Sequence, residues 1–113
     1  MGLIFDIGAS DGADTTVYLE SGHKVVAVEA NPDLCEQMQL RFAAEIASGH
    51  LALANRAISR RRKAVFYVNS EEPGWGTMLP AYAERGAKLR GQVKRIEVDT
   101  TTVIDLIRQF GAP

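Results

Sequence analysis

Residues 4–15, Ile4-Phe5-Asp6-Ile7-Gly8-Ala9-Ser10-Asp11-Gly12-Ala13-Asp14-Thr15, narrow the choice of fold more than any other stretch of the chain. A short apolar run suited to a buried strand breaks into two glycines, and residues able to begin a helix follow at once. This is the pattern of a ligand cradle at the carboxyl end of a first parallel strand. Glycine at position 8 lets the backbone turn sharply and approach a bound molecule. Gly12 lets the next helix pack tightly on the strand, and the amino terminus of that helix offers free N–H groups.

Two ligand classes use such a turn, dinucleotides and S-adenosylmethionine, and the nearby charges separate them. Dinucleotide sites need G-x-G-x-x-G and no negative charge beside the pyrophosphate. Here the spacing is Gly8-x-x-x-Gly12, with Asp6 before it and Asp11 inside it. A carboxylate pair repels phosphate and tolerates a ligand carrying an ammonium and a sulfonium. The chain has no Gly-Lys-Ser/Thr, which removes a P-loop.

The rest of the chain reads as strands and helices in alternation. Residues 3–7 form a first strand, apolar on both faces as a central parallel strand should be. Residues 13–20 follow as a helix packing through Val17, Tyr18 and Leu19 and stopped by Ser21-Gly22. Residues 24–29, Lys-Val-Val-Ala-Val-Glu, form a second strand ending on an acid. Glu29 lies 21 residues after Gly8, near the roughly 20-residue spacing at which a strand-end carboxylate reaches a ribose diol. Asn31-Pro32-Asp33 starts a helix with a capping Asn, Pro at the first position and an acid in the first turn. That helix is expected to continue to Ala47 with Leu34, Met38, Phe42 and Ile46 as its core stripe. Cys35 beside the stripe reads as a small packing residue, since no base is placed to activate it.

Residues 51–54 complete a parallel βαβαβ unit. Another strand, residues 64–68, begins too soon after Ile58 for a crossover helix, so an antiparallel hairpin turning through Ser59-Arg60-Arg61-Arg62-Lys63 is expected. The four cations in that turn read as a solvated surface. A loop rich in turn formers holds Trp75, and then come a short helix at residues 80–85, a polar connection, a strand at residues 93–98 and a last helix at residues 102–110. Thr102 and Asp105 resemble a capping box and Gly111 a stop. His23 and His50 fall at helix-to-strand corners without metal-site spacing.

The chain has 113 residues, enough for one small domain, 1–113. Its 46% apolar and 24% charged residues suit a globular α/β core. The net charge of −1 gives no overall pull toward nucleic acid or anionic membrane. A single cysteine excludes an internal disulfide and fits a reducing cytosol. With no apolar run of membrane-spanning length and no basic leader, the expected location is cytoplasmic and no membrane partner is expected.

Several of these motifs together resemble the FkbM-type S-adenosylmethionine-dependent O-methyltransferases, class I enzymes with a Rossmann-like fold. The residues that carry the resemblance are 5–15, then Tyr18-Leu19, then Val25-Val26-Ala27-Val28-Glu29-Ala30-Asn31-Pro32, Arg41-Phe42, Asn55-Arg56-Ala57-Ile58, Phe66-Tyr67-Val68, Asp105-Leu106-Ile107 and Gly111-Ala112-Pro113. They span nearly the whole chain. Ser10 departs from the Asn usual in that family.

The resemblance implies that Asp6, Gly8, Ala9, Ser10, Asp11 and Gly12 hold the methionine part of S-adenosylmethionine. It also implies that Glu29 binds the ribose, with Ala30 and Asn31 against the adenosine, and that Asn55, Arg56 and Ala57 line the adenine pocket. Trp75 and Thr77 are candidates for the substrate side. The implied reaction is O-methylation of a hydroxyl on a sugar or secondary metabolite, a small-molecule acceptor, with no nucleic acid and no metal. No residue is assigned as the catalytic base. The family continues into a fourth strand and beyond where this sequence stops, so the chain reads as the cofactor-binding half. The rival reading is a non-catalytic cofactor-binding or interaction domain, an inactive fragment that associates through an exposed sheet edge at strand one. An NAD-dependent oxidoreductase is disfavoured by Asp6 and Asp11.

Overall fold

The computed structural model describes residues 2–89 and 91–113, apart from the side chain of Trp75. The first half is the expected βαβαβ unit. It comprises β1 (Leu3–Ile7), α1 (Ala13–Glu20), β2 (Lys24–Val28), α2 (Pro32–Arg41), α3 (Ala43–Ala47) and β3 (Leu51–Ala54). The three strands are parallel in the order β1-β2-β3, with Phe5 level with Val26 and Val26 with Ala52. β2, with a neighbour on each side, buries Val25, Val26, Ala27 and Val28 in succession. Each fully buried valine contributes about 1.5–2 kcal/mol by leaving water.

β1 is an edge strand, as expected of a sheet with three parallel strands, although its apolar sequence suits a central one. Among the described residues it pairs only with β2, so Leu3, Ile4 and Phe5 are half-buried and Ile7 is 47% exposed.

Helices cover both faces of this sheet. On one, Val25, Ala27 and Leu51 pack against Met38 and Phe42, with Tyr18, Leu19 and Ile46 around them. On the other, Val26 and Val28 pack under Leu106 and Phe110 of α5 (Val103–Phe110). α1 differs from expectation in its buried face. Val17 is 57% exposed, while Thr15 is fully buried because its hydroxyl donates to the Asp6 carboxylate at 2.6 Å. The single helix expected over residues 32–47 is interrupted at Phe42, whose φ of −106° and ψ of 25° leave the helical region. The 4-residue bonding nevertheless continues through it, from Phe42 N to Met38 O and from Ile46 N to Phe42 O. The break accompanies tertiary pull: the Phe42 ring is wedged beside Gly12, and Arg41 donates to the Asp11 carbonyl and the Thr16 hydroxyl.

The second half forms a separate three-stranded sheet from β4 (Ala57–Ile58), β5 (Lys63–Asn69) and β6 (Val93–Thr101), in the order β4-β6-β5. The chain does reverse between β4 and β5. They are not hydrogen-bonded to each other, however, because β6 lies between them, parallel to β4 and antiparallel to β5. β5 pairs with β6 along its whole length, from Lys63 opposite Asp99 to Asn69 opposite Val93, more backbone pairing than the two-residue β4 could offer it. β5 and β6 are joined through a 3-10 turn (Pro73–Trp75) and α4 (Pro80–Leu89). α4 thus runs past Gly86 into the stretch expected as a connection. Ala30, Ala57, Phe66 and Val98 form the core that ties this sheet to the carboxyl ends of the first. No helix among the described residues is long and apolar enough to cross a membrane.

Candidate ligand cleft at the strand carboxyl ends

The site is built at the carboxyl ends of β1 and β2. Gly8 N and Ala9 N both donate to the Val28 carbonyl, at 2.8 and 3.1 Å, which folds the first turn back over β2. Gly8 has φ +73° and Gly12 φ +84°, left-handed values that cost a side-chain-bearing residue about 1–2 kcal/mol. Space around the two glycines differs. A Cβ at Gly8 would meet nothing within 4 Å, whereas one at Gly12 would lie 2.7 Å from the Phe42 ring. The close approach that requires Gly12 is therefore to α2. Ser10 is the described non-glycine residue with positive φ, at 57°.

Glu29 holds the turn in place. One carboxylate oxygen accepts the Ser10 N–H and the other accepts the Asn31 N–H, both at 2.8 Å. Each oxygen keeps a further lone pair for a ligand hydroxyl. Behind it, the Asn55 amide donates to the carbonyls of Glu29 and Ala30 at 2.9 and 3.0 Å. The Cys35 thiol donates to the same Glu29 carbonyl at 3.1 Å. Burial pushes that thiol up to about 11, with the Glu29 charge adding to the effect and the hydrogen bond with Asn55 opposing it. Cys35 is thus a protonated packing residue at neutral pH.

A cleft of about 180 Å³ opens here, bounded by Gly8, Ser10, Glu29, Ala30, Arg56 and Ala57. Small-molecule sites commonly enclose about 300 Å³ or more, so a cofactor-sized ligand would project beyond this cleft or displace part of its wall.

The other candidates lie near the cleft without bounding it. Asp6 is buried and takes the Thr15 hydroxyl, so it anchors α1. Ala9 belongs to the core. The exposed Asp11 accepts Ala13 N–H at 3.1 Å, occupying one of the helix-start donors expected to be free. Asn31 caps α2 by accepting Asp33 N–H at 3.0 Å, and its buried Nδ2 has no partner among the described residues. Asn55 faces a second groove, which it shares with Arg56, Thr100 and Gln109. Thr77 pairs through its backbone with Tyr67, and its hydroxyl accepts Leu79 N–H at 3.1 Å. The Trp75 side chain lies outside the described residues.

Of the segment forming the opposite wall, the sequence singled out only Trp75 and Thr77. Phe66 of β5 and Pro73, Gly74, Gly76 and Met78 face Glu29 across the cleft. A Cβ on Gly76 would fall 2.5 Å from the Phe66 ring, and one on Gly74 would lie 3.4 Å from the Ser10 hydroxyl. The Pro-Gly-x-Gly spelling was the available signal, since glycine is the residue that admits such approaches. Among the described residues no cluster of His, Cys, Asp or Glu could hold a metal ion.

Comparison with known proteins bears on this turn-and-carboxylate arrangement. No family model matches the chain, and no solved structure matches it. Over 51 residues, 45% of this chain, it is 41% identical to a Methanospirillum hungatei JF-1 protein described as "Probable ribosomal RNA small subunit methyltransferase A". The matched segment is 20% of that protein's length, so the chain spans only a small part of the relative. The similarity supports a methyltransferase in general and does not distinguish the FkbM type.

Proposed function

We propose that this chain forms the S-adenosylmethionine-binding part of a methyltransferase. The observation that carries the proposal is the placement of Glu29. It directly follows β2, and its carboxylate bounds the cleft beside Gly8 and Ser10 and is already oriented by two backbone N–H groups. The residues fit the cofactor. Gly8 leaves open space where a Cβ would stand, and a carboxylate can accept two ribose hydroxyls at once. Glu29 and Arg56 are the charged residues bounding the cleft, so the proposal rests on the position of Glu29 and not on the net charge there.

S-adenosylmethionine, when bound, supplies a methyl group already activated on a sulfonium. The protein's task is then chiefly alignment of an acceptor with that methyl group. Glu29 would hold the ribose, Gly8 and Ser10 would contact the methionine part, and Ala30 and Ala57 would lie against the adenosine. Phe66 and the 73–78 segment would form the wall toward the acceptor. The family resemblance supports a hydroxyl on a sugar or metabolite as acceptor. The similarity to a ribosomal RNA methyltransferase supports a second reading, an RNA acceptor.

The test is calorimetric titration of S-adenosylmethionine into the purified chain, with NAD as control. Saturable binding of the first and not the second supports the proposal. Binding of NAD alone, or of neither at millimolar ligand by a chain whose melting shows it to be folded, overturns it. Binding without methylation of any acceptor would identify a non-catalytic cofactor-binding domain, and β1, with its unpaired edge, would then be the place to look for self-association.

A further inference from the structure

Five of the 13 Lys and Arg residues fall within eight positions, 56–63, although the whole chain carries a net charge of −1. One of them, Arg56, bounds the cleft, and the other four follow β4. Arg56 and Ile58 bound the cleft directly, and the basic turn leaves it two residues later.

Local acids do not neutralise this turn. Asp99 of β6 pairs with Lys63 and reaches Arg56 at 3.7 Å, so one carboxylate serves two cations. Those two neighbours hold its carboxyl below the usual range, chiefly through the hydrogen bond from Lys63. The next acid along β6, Glu97, lies opposite Val65 and farther from the turn. Arg60, Arg61 and Arg62 are exposed and have no carboxylate partner among the described residues.

The backbone beneath them is pinned. Ser59 N donates to the Thr101 carbonyl at 3.0 Å, and Arg61 N donates to the Ser59 hydroxyl at 3.1 Å. The Thr100 hydroxyl donates to the carbonyls of Arg61 and Arg62. Three like charges held on one short turn repel each other, and a polyanion across them would relieve that repulsion.

We propose that residues 59–62 form a phosphate-backbone docking site for a folded RNA, seated beside the cleft so that an RNA nucleotide enters it as acceptor. The role of acceptor rests on the methyl-transfer reading above; the docking does not. Arg60, Arg61 and Arg62 are exposed and do not line the cleft, so they suit a repeating phosphate backbone better than a single compact phosphate. The turn carries no aromatic or aliphatic side chain to enter a bilayer, which separates it from membrane-binding segments.

The test is fluorescence anisotropy with a labelled ribosomal RNA stem-loop between 50 and 200 mM salt. Four chains are compared: wild type, a triple variant with Arg60→Ala, Arg61→Ala and Arg62→Ala, a charge-keeping triple variant with Lys at the same positions, and Lys24→Ala at the opposite end of the sheet. Removing the three arginines is expected to weaken binding at least about tenfold at 50 mM salt and to lower the slope of log affinity against log salt by about two. The Lys triple variant should keep the wild-type salt slope, and Lys24→Ala should bind as wild type. S-adenosylmethionine titration of each chain runs alongside. Arginine-dependent RNA binding without S-adenosylmethionine binding supports the docking site and sinks the methyl-transfer reading. Equal RNA binding by wild type and the Ala triple variant, no RNA binding by a folded wild-type chain, or tighter binding to phosphatidylserine vesicles than to RNA overturns the docking site.

Discussion

The Glu29 carboxylate accepts the Ser10 N–H at 2.8 Å, so the residue immediately after β2 fixes the conformation of the turn after β1 across 19 positions of sequence. Ser10 sits at φ 57°, a region where serine costs more than glycine or asparagine. The bond from Glu29 helps to hold it there. A residue read from the sequence as a ligand contact thus also serves as a brace, and its replacement affects both roles.

Replacing Glu29 by Gln leaves an amide N–H₂ facing one of the two backbone donors. We expect a loss of about 1–3 kcal/mol in a urea melt. At a temperature where both proteins are folded, affinity for S-adenosylmethionine should fall about tenfold or more. Unchanged affinity in a folded Glu29→Gln protein would confine Glu29 to its bracing role.

Gly8→Ala and Gly12→Ala share the cost of a left-handed backbone, and only the second drives a Cβ into the Phe42 ring. Gly12→Ala should therefore be the less stable of the two by about 1–3 kcal/mol, the range for overpacking. Equal melting midpoints would show that Phe42 moves aside at no cost.

Across the cleft, Gly76 has φ −57°, which any residue tolerates, so its replacement tests space alone. Gly76→Ala meets the Phe66 ring and should displace the 73–78 segment, with a stability loss of about 1–3 kcal/mol. Gly74→Ala should melt as wild type. The reverse order would mean that Phe66 does not support this wall.

The Cys35 thiol ionises near 11 in the folded protein, against 9.0 for an unperturbed thiol. Between those values the unfolded chain has given up a proton that the folded one keeps, so stability falls as pH rises. The loss should be on the order of 2 kcal/mol by pH 11, and Cys35→Ser should flatten this part of the profile. At pH 8 a thiol reagent such as Ellman's reagent should label Cys35 in denaturant and leave the native protein unlabelled. Rapid native labelling would contradict its burial.

The sequence by itself determined the βαβαβ unit. The apolar runs of β1, β2 and β3, the Asn31 cap with Pro32, and the glycines at 8, 12 and 22 each state a local conformational preference that needs no distant partner. Local spacing also marked Gly8 and Glu29 through turn chemistry and strand-end position, whereas Ser10, Ala30, Arg56 and Ala57, which also bound the cleft, were implied only by the family resemblance. Tertiary structure decided what depended on residues far apart in the chain. β6 took the place between β4 and β5 because strand pairing follows the backbone bonds a long partner supplies, which no short-range pattern encodes. Thr15 displaced Val17 from the buried face of α1 because Asp6 needed a hydrogen-bond donor inside. The helix broke at Phe42, where its ring wedges beside Gly12. The far wall of the cleft, Phe66 against Gly74 and Gly76, also arose from packing: steric complementarity becomes visible only once the two sheets meet.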